Sequence, residues 1–251
     1  QAGRSQKNKR RVEQMNVEGK NAVMEALRSG VTIDALLVEK GQNHQIVAMA
    51  RQKGIKLQYL DKNAMDRLSV TKRHQGFIAK VTDFEYCEVS DILAEAENRG
   101  EDAFIVLLDG VEDPHNLGSV IRVCECAGVH GVIIPKHRAA GVNETVVRVS
   151  AGAAEHMKIA RVTNIVSAIE ELQSAGVWVY AADMDGENIY SADLTGKAAF
   201  VIGGEGNGVR PVTAKACDKT VALPLRGKVN SLNASVACGV VVYEALRQRL
   251  K

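Results

Sequence analysis

Residues 223–237 read Leu223-Pro-Leu-Arg-Gly-Lys-Val-Asn-Ser-Leu-Asn-Ala-Ser-Val-Ala237. An apolar strand runs into a polar loop containing glycine and then into a helix. Junctions of this kind are where α/β proteins place their ligands. Ser231, Asn233 and Ser235 are polar at alternate positions. Asn233 or Ser231 suits the N-cap of the final helix. Leu232 between them then points the opposite way, into a core or onto a ligand. The free N–H groups at the start of that helix are donors for an anion or a ribose.

Two segments further up the chain have the same character. In Gly203-Gly-Glu-Gly-Asn-Gly-Val-Arg210, four glycines in six residues let the backbone approach a ligand closely. A dinucleotide fingerprint is not met, because counting from Gly204 the last glycine position falls on Val209. Glu205 is the single acid of this loop. An acid in a turn is ordinarily solvated, but glycines on both sides point to a shaped loop. The other segment is Asp113-Pro-His-Asn-Leu-Gly-Ser-Val-Ile-Arg122. Asn116 there suits a helix N-cap. Arg122 sits six residues on, in an otherwise apolar helical stretch of Leu117, Val120, Ile121 and Val123. It either snorkels to solvent or meets an anion.

Around these segments strands and helices alternate. Strands are expected at 104–108, 131–134, 157–161, 177–181, 199–202 and 220–223, and helices at 117–127, 165–174, 211–217 and 233–249. Short strands that are apolar throughout and separated by helices predict a parallel sheet covered on both faces. Upstream, a helix over 17–28, a strand at 35–38, a helix at 45–53, a strand at 56–60, a helix at 62–68 capped by Asp61 and a strand at 76–81 make a small α/β unit. The charged stretch between, with a helix over 91–99, is expected as the boundary. The reading is therefore a tail at 1–13, a small unit at 14–82, a linker at 83–102 and a larger unit at 103–251.

Composition narrows the classes. Apolar content of 46% and charged content of 25% are those of a soluble globular protein. Aromatics at 4% argue against an RNA binder built on stacking platforms. No apolar run approaches the roughly 18 residues of a membrane span, and no apolar core follows the basic N-terminus as a secretory signal requires. Five positive charges, Arg4, Lys7, Lys9, Arg10 and Arg11, precede the first acid; without them the net charge is −3 rather than +2. The basic balance thus lies in a tail, either a polyanion binder or a solvated terminus. Cys87, Cys124, Cys126, Cys217 and Cys238 are odd in number and contain no C-x-x-C pair. Neither a disulfide framework nor a metal site is expected, and a cytoplasmic location is.

Taken together, the three segments resemble the signature motifs of the SpoU (TrmH-type) RNA 2′-O-ribose methyltransferases. The first matches as Asp113-Pro-His-Asn116-Leu-Gly118 with Arg122, the second as Val201-Ile-Gly-Gly-Glu205-Gly with Gly208, the third as Leu223-Pro with Ser231-Leu-Asn233-Ala-Ser235. Order, spacing and strand–loop–helix context all agree, over roughly residues 103–250. Glu18-Gly-Lys-Asn-Ala-Val and, near the end of the small unit, His74-Gln-Gly-Phe resemble the L30e-like RNA-binding domain. The pairing is similar to the bacterial 23S rRNA guanosine-2′-O-methyltransferase subgroup.

The resemblance implies a SPOUT fold with a C-terminal trefoil knot, a feature that general folding rules alone would reject. It implies S-adenosylmethionine as cofactor, held around Gly203, Gly204, Leu223 and Leu232, and a homodimer acting on RNA, with no metal. By the same resemblance Arg122 is the central catalytic residue, Asn116 holds Arg122 and lines the site, and Glu205, Ser231 and Asn233 organise the substrate pocket. An arginine acting as a base conflicts with its pKa above about 12, so electrostatic activation and positioning are expected instead. A tRNA 2′-O-methyltransferase, or a non-catalytic RNA-binding protein on the same fold, are the alternatives.

Overall fold

The computed structural model describes residues 13–29, 31–42, 44–205 and 208–250. The basic tail residues Arg4 to Arg11 and Gly206 of the glycine-rich loop lie outside the described residues. The chain separates into two compact units. One reaches to Glu85 and includes Val142–Glu144; the other is formed by Tyr86–Gly141 and Thr145–Lys251.

The first unit runs β1 (Glu13–Glu18), α1 (Lys20–Ser29), β2 (Thr32–Glu39), α2 (Gln45–Gln52), β3 (Leu57–Leu60), α3 (Lys62–Leu68) and β4 (Phe77–Asp83). Its sheet has the order β1-β4-β2-β3, with β4 antiparallel to both neighbours and β2 parallel to β3. Val23, Leu27, Leu36, Val38, Ile46 and Phe77 fill the core. The helix expected from residue 17 begins instead at Lys20. Val17 is a strand residue opposite Ala79, and Gly19 turns the chain in the left-handed region, φ +93.

At the end of β1, Glu18 fastens the loop between α3 and β4. Its carboxylate accepts from the Val70 N–H at 2.6 Å, the Thr71 N–H at 3.1 Å, the Ser69 hydroxyl at 2.7 Å and the Thr71 hydroxyl. Burial pushes the Glu18 carboxyl up. The bonds from Thr71, Ser69 and Val70 more than offset that and bring its pKa down to about 2.

The second unit runs α4 (Val89–Arg99), β5 (Phe104–Asp109), α5 (Pro114–Cys126), β6 (Gly131–Pro135), α6 (Glu144–Val149, whose first residue is counted with the other unit), β7 (Lys158–Val162), α7 (Ile165–Ser174), β8 (Trp178–Asn188), β9 (Ala198–Gly203), α8 (Pro211–Ala216), β10 (Lys219–Ala222) and α9 (Ala234–Arg249). Its six strands lie in the order β10-β8-β9-β5-β6-β7, and every pairing is parallel. β5 and β6 are buried along their whole length, as a sheet covered on both faces requires.

Within the stretch expected as a linker, the division falls between Glu85 and Tyr86, and α4 packs into the second unit's core through Val89, Ile92 and Ala96. β8 continues past its apolar part to Asn188, because Glu187 and Asn188 pair with Val221 and Ala222 of β10 beyond a bulge. Just before β6, buried His130 accepts from the Phe104 N–H at 3.0 Å through Nδ1, while its Nε2 lies 3.0 Å from Glu101. Burial holds the His130 pKa below its ordinary value despite the Glu101 contact.

The topology positions the site. From β5 the chain steps to β6 and β7 on one side, while β9, β8 and β10 lie on the other. Strand order therefore reverses beside β5. The crevice at the carboxyl ends of β5 and β9 is where such a sheet takes a ligand. Among the described residues no helix is long and apolar enough to cross a membrane.

Candidate active site

All three polar segments meet at that crevice. The cap of α5 is Asp113, whose carboxylate accepts from the His115 N–H at 2.9 Å, with Pro114 at the first helical position. Asn116 is therefore released from the capping role its residue type suggested. It lies inside the first turn, buried at 6% exposure. Asn233 is a cap. Its Oδ1 accepts from the Ser235 and Val236 N–H groups at 3.0 and 3.3 Å and from the Ser235 hydroxyl at 2.7 Å. That leaves its amide nitrogen facing the crevice.

The three side chains close a triangle. Asn116 Nδ2 donates to Glu205 Oε1 at 2.8 Å; Asn233 Nδ2 donates to Asn116 Oδ1 at 2.9 Å and to Glu205 Oε1 at 2.9 Å. Residues from a helix turn, a glycine-rich loop and a second helix cap are thereby fixed against one another. Both bonds to the carboxylate fall on the same oxygen.

Beside the triangle lies a cavity of about 540 Å³. Gly203, Gly204, Leu223 and Leu232 line it together with Glu205, Ser231 and Asn233. Ile202, Val221 and Leu225 add apolar wall, and Asp183 and Met184 enter from the extended part of β8. The two glycines admit no side chain. A Cβ on Gly204 would stand 2.0 Å from the Gly110 carbonyl oxygen, and one on Gly203 would stand 2.0 Å from the Gly208 carbonyl carbon. The volume falls in the usual range for small-molecule sites of roughly 300–1,000 Å³.

A second cavity of about 490 Å³ lies at the ends of β5 and β6. It shares Gly204, Glu205, Gly208 and Ala234 with the first, so Glu205 stands in the wall common to both. A brace beneath it was not foreseen from the residues. Asp109 is fully buried and accepts from the Arg210 N–H at 3.0 Å and from its Nε at 2.7 Å, with Nη2 2.6 Å away. The available signal was an acid directly following five apolar strand residues. Asp183, Met184 and the second cavity's Glu112 and Arg138 carry no such signal in the sequence.

Arg122 stands apart from the triangle. It is exposed on α5, lines neither cavity and has no hydrogen bond or ion pair among the described residues. Asn116 is engaged with Glu205 and Asn233, not with Arg122, which corrects the expected pairing. Six helical residues turn about 600°, which carries Arg122 round to another face. Among the described residues no group of His, Cys, Asp and Glu is arranged to hold a metal ion.

The comparisons with known proteins agree in their coverage. The model of the SpoU rRNA Methylase family matches residues 103–243, and that of RNA 2′-O ribose methyltransferase substrate binding matches residues 16–87. A putative TrmH family tRNA/rRNA methyltransferase, YacO, of Bacillus subtilis is 42% identical over 93% of this chain and 95% of its own length. The 23S rRNA (guanosine-2′-O-)-methyltransferase RlmB of Xylella fastidiosa is 38% identical over 93% of this chain and 96% of its own. Among solved structures, the SpoU methyltransferase AviRb from Streptomyces viridochromogenes in complex with AdoMet superposes with a TM-score of 0.61 at 25% identity, covering 94% of this chain and 91% of that one.

Proposed function

The chain belongs to the SpoU rRNA Methylase family, whose fold is the SPOUT fold, and from that premise we propose that it methylates a ribose 2′-hydroxyl in RNA, a guanosine of 23S rRNA. The observation that carries this is the convergence of the three segments on the Asn116–Glu205–Asn233 triangle, two of whose members, Glu205 and Asn233, stand in the wall of the first cavity. S-adenosylmethionine fits that cavity by volume and by apolar wall, with Gly203, Gly204, Leu223 and Leu232 among the residues lining it. The cofactor supplies an activated methyl on a sulfonium. In the family this cavity is formed by a trefoil knot, which we carry over as part of the proposal.

The chain's own residues have separate tasks. The Glu205 oxygen not held by the two amides accepts the hydrogen bond of the 2′-hydroxyl and takes its proton as the methyl transfers. Asn116 and Asn233 keep the carboxylate aimed. Ser231, at the cavity edge, contacts the ribose. Arg122 acts on an RNA phosphate and positions the strand. Residues 16–87 hold the RNA substrate.

The enzyme acts as a homodimer. Supporting this, α9 leaves Val236 and Tyr243 exposed two turns apart on one face, an apolar pair suited to a second copy. The five cysteines, none in a disulfide, support the cytoplasm as location.

The test is transfer of labelled methyl from S-adenosylmethionine to unmodified 23S rRNA, with tRNA alongside. Label in an alkali-resistant dinucleotide containing guanosine is the expected result. Label in tRNA alone overturns the rRNA reading, and no label in either overturns the activity. Arg122→Ala or Asn116→Ala with wild-type turnover would remove that residue from the machinery.

A further inference from the structure

The second cavity is distinct from the one assigned to the methyl donor and shares with it only Gly204, Glu205, Gly208 and Ala234. Its position follows from the shared wall. A nucleoside whose 2′-hydroxyl meets Glu205 has the donor cavity on one side and the second cavity on the other. The base of that nucleoside then enters the space at the ends of β5 and β6.

The side chains there sort by whether they are already engaged. Asp109 is taken by Arg210, and Asp113 caps α5. Glu112, His137 and Arg138 are exposed and have no hydrogen bond or ion pair among the described residues, and Glu112 and Arg138 are the carboxylate and the guanidinium of that set. Arg138 also holds a backbone conformation that L-residues rarely adopt, φ +55. Such a conformation is strained and persists only where the surroundings impose it. Here the flanks impose it: the Lys136 N–H donates to the Val162 carbonyl at 2.7 Å, and the Ala140 N–H to the Val111 carbonyl at 2.9 Å. The second of these bonds ties the Arg138 loop to the residue next to Glu112.

We propose that this cavity reads the target base, and that Glu112 and Arg138 determine its identity as guanine. This rests on the methyltransferase reading and deepens it. Guanine presents two adjacent donors, N1–H and N2–H₂, and two adjacent acceptors, O6 and N7. A carboxylate matches the first pair and a guanidinium the second. Adenine offers an acceptor at N1, which would leave the carboxylate facing a lone pair, and a donor at N6, which would face the guanidinium. A site that hydrogen-bonds its substrate in this way rejects the mismatched analogue more strongly than an apolar pocket does.

The test uses the full-length protein and a synthetic RNA spanning the methylated nucleotide, with guanosine, inosine or adenosine at that position. Inosine lacks only the N2 amino group. The wild type is expected to prefer guanosine over inosine by about tenfold in kcat/KM, and to leave adenosine unmethylated. Glu112→Ala lowers the guanosine rate and brings the guanosine-to-inosine ratio close to one. Arg138→Ala lowers the rate on both while keeping that ratio. Labelled S-adenosylmethionine binds both variants as it binds the wild type, because neither residue lines the donor cavity. An unchanged guanosine-to-inosine ratio in Glu112→Ala, or in the charge-removing Glu112→Gln, overturns the assignment while methyl transfer stands. A wild type that binds no cofactor and labels no RNA overturns both.

Discussion

Glu18 and Glu205 are both carboxylates on which distant parts of the chain converge, and they are bound in different ways. Glu18 accepts backbone N–H groups and hydroxyls on both of its oxygens, all from Ser69–Thr71. Its capacity is used up on the loop between α3 and β4, and its pKa falls to about 2. Glu205 accepts two carboxamides, and both fall on Oε1. The donors come from side chains on two helices, which aim the group without consuming it. Glu18 is surrounded by fixed donors; Glu205 is held by one edge, as the role proposed for it requires.

Removing each carboxylate tests that contrast most directly. Glu205→Ala is expected to lower kcat by about 10²-fold or more, the scale seen when one preorganised polar group is lost, with a urea midpoint close to wild type. Glu18→Ala is expected to leave kcat as it is and to lower unfolding free energy by about 1–2 kcal/mol, since the Val70 and Thr71 N–H groups lose a charged acceptor but remain within reach of water. Equal losses of stability in the two variants would erase the distinction.

Asn233 sharpens it, because one side chain does both jobs. Its Oδ1 caps α9 and its Nδ2 holds Glu205 and Asn116. Asn233→Asp keeps a good cap but sets an acceptor against two acceptors. Stability within about 1 kcal/mol of wild type and at least a tenfold fall in kcat are expected. A variant with wild-type kcat would reduce Asn233 to its cap.

Much of this site could be read from residue order alone, and the reasons are local. β5 and β9 are continuous apolar runs ending in glycine-bearing turns, so the strands and the loops after them announce themselves. β1 does not. Met15 and Val17 are its only apolar residues, and its partner β4 lies some sixty residues on. The polar end of β8 is a strand only because β10 pairs with it. Asn116 was open to misreading as a cap because Asp113 and Pro114 set the helix start three residues earlier. The triangle itself joins residues 89 and 117 positions apart, separations at which no local pattern speaks.

The smallest expected effect separates the two regions by acid. His130 must be neutral at Nδ1 to accept from Phe104, and its folded pKa lies below its ordinary 6.5. A depressed pKa means that the unfolded chain binds the proton more readily. Its contribution is therefore whole above pH 6.5 and is lost as pH falls below that value. Glu18 is depressed from 4.5 to about 2, so its contribution is whole above pH 4.5 and is lost on the way down to about pH 2. Chemical unfolding followed from pH 7.5 to 3.5 should then weaken first through the second unit and only later through the first. His130→Gln should flatten the upper part of that profile and Glu18→Gln only the part below pH 4.5. If Glu18→Gln flattened the profile above pH 5 instead, the Ser69–Thr71 donors would not be what holds its charge, and the contrast with Glu205 would have to be redrawn on other groups.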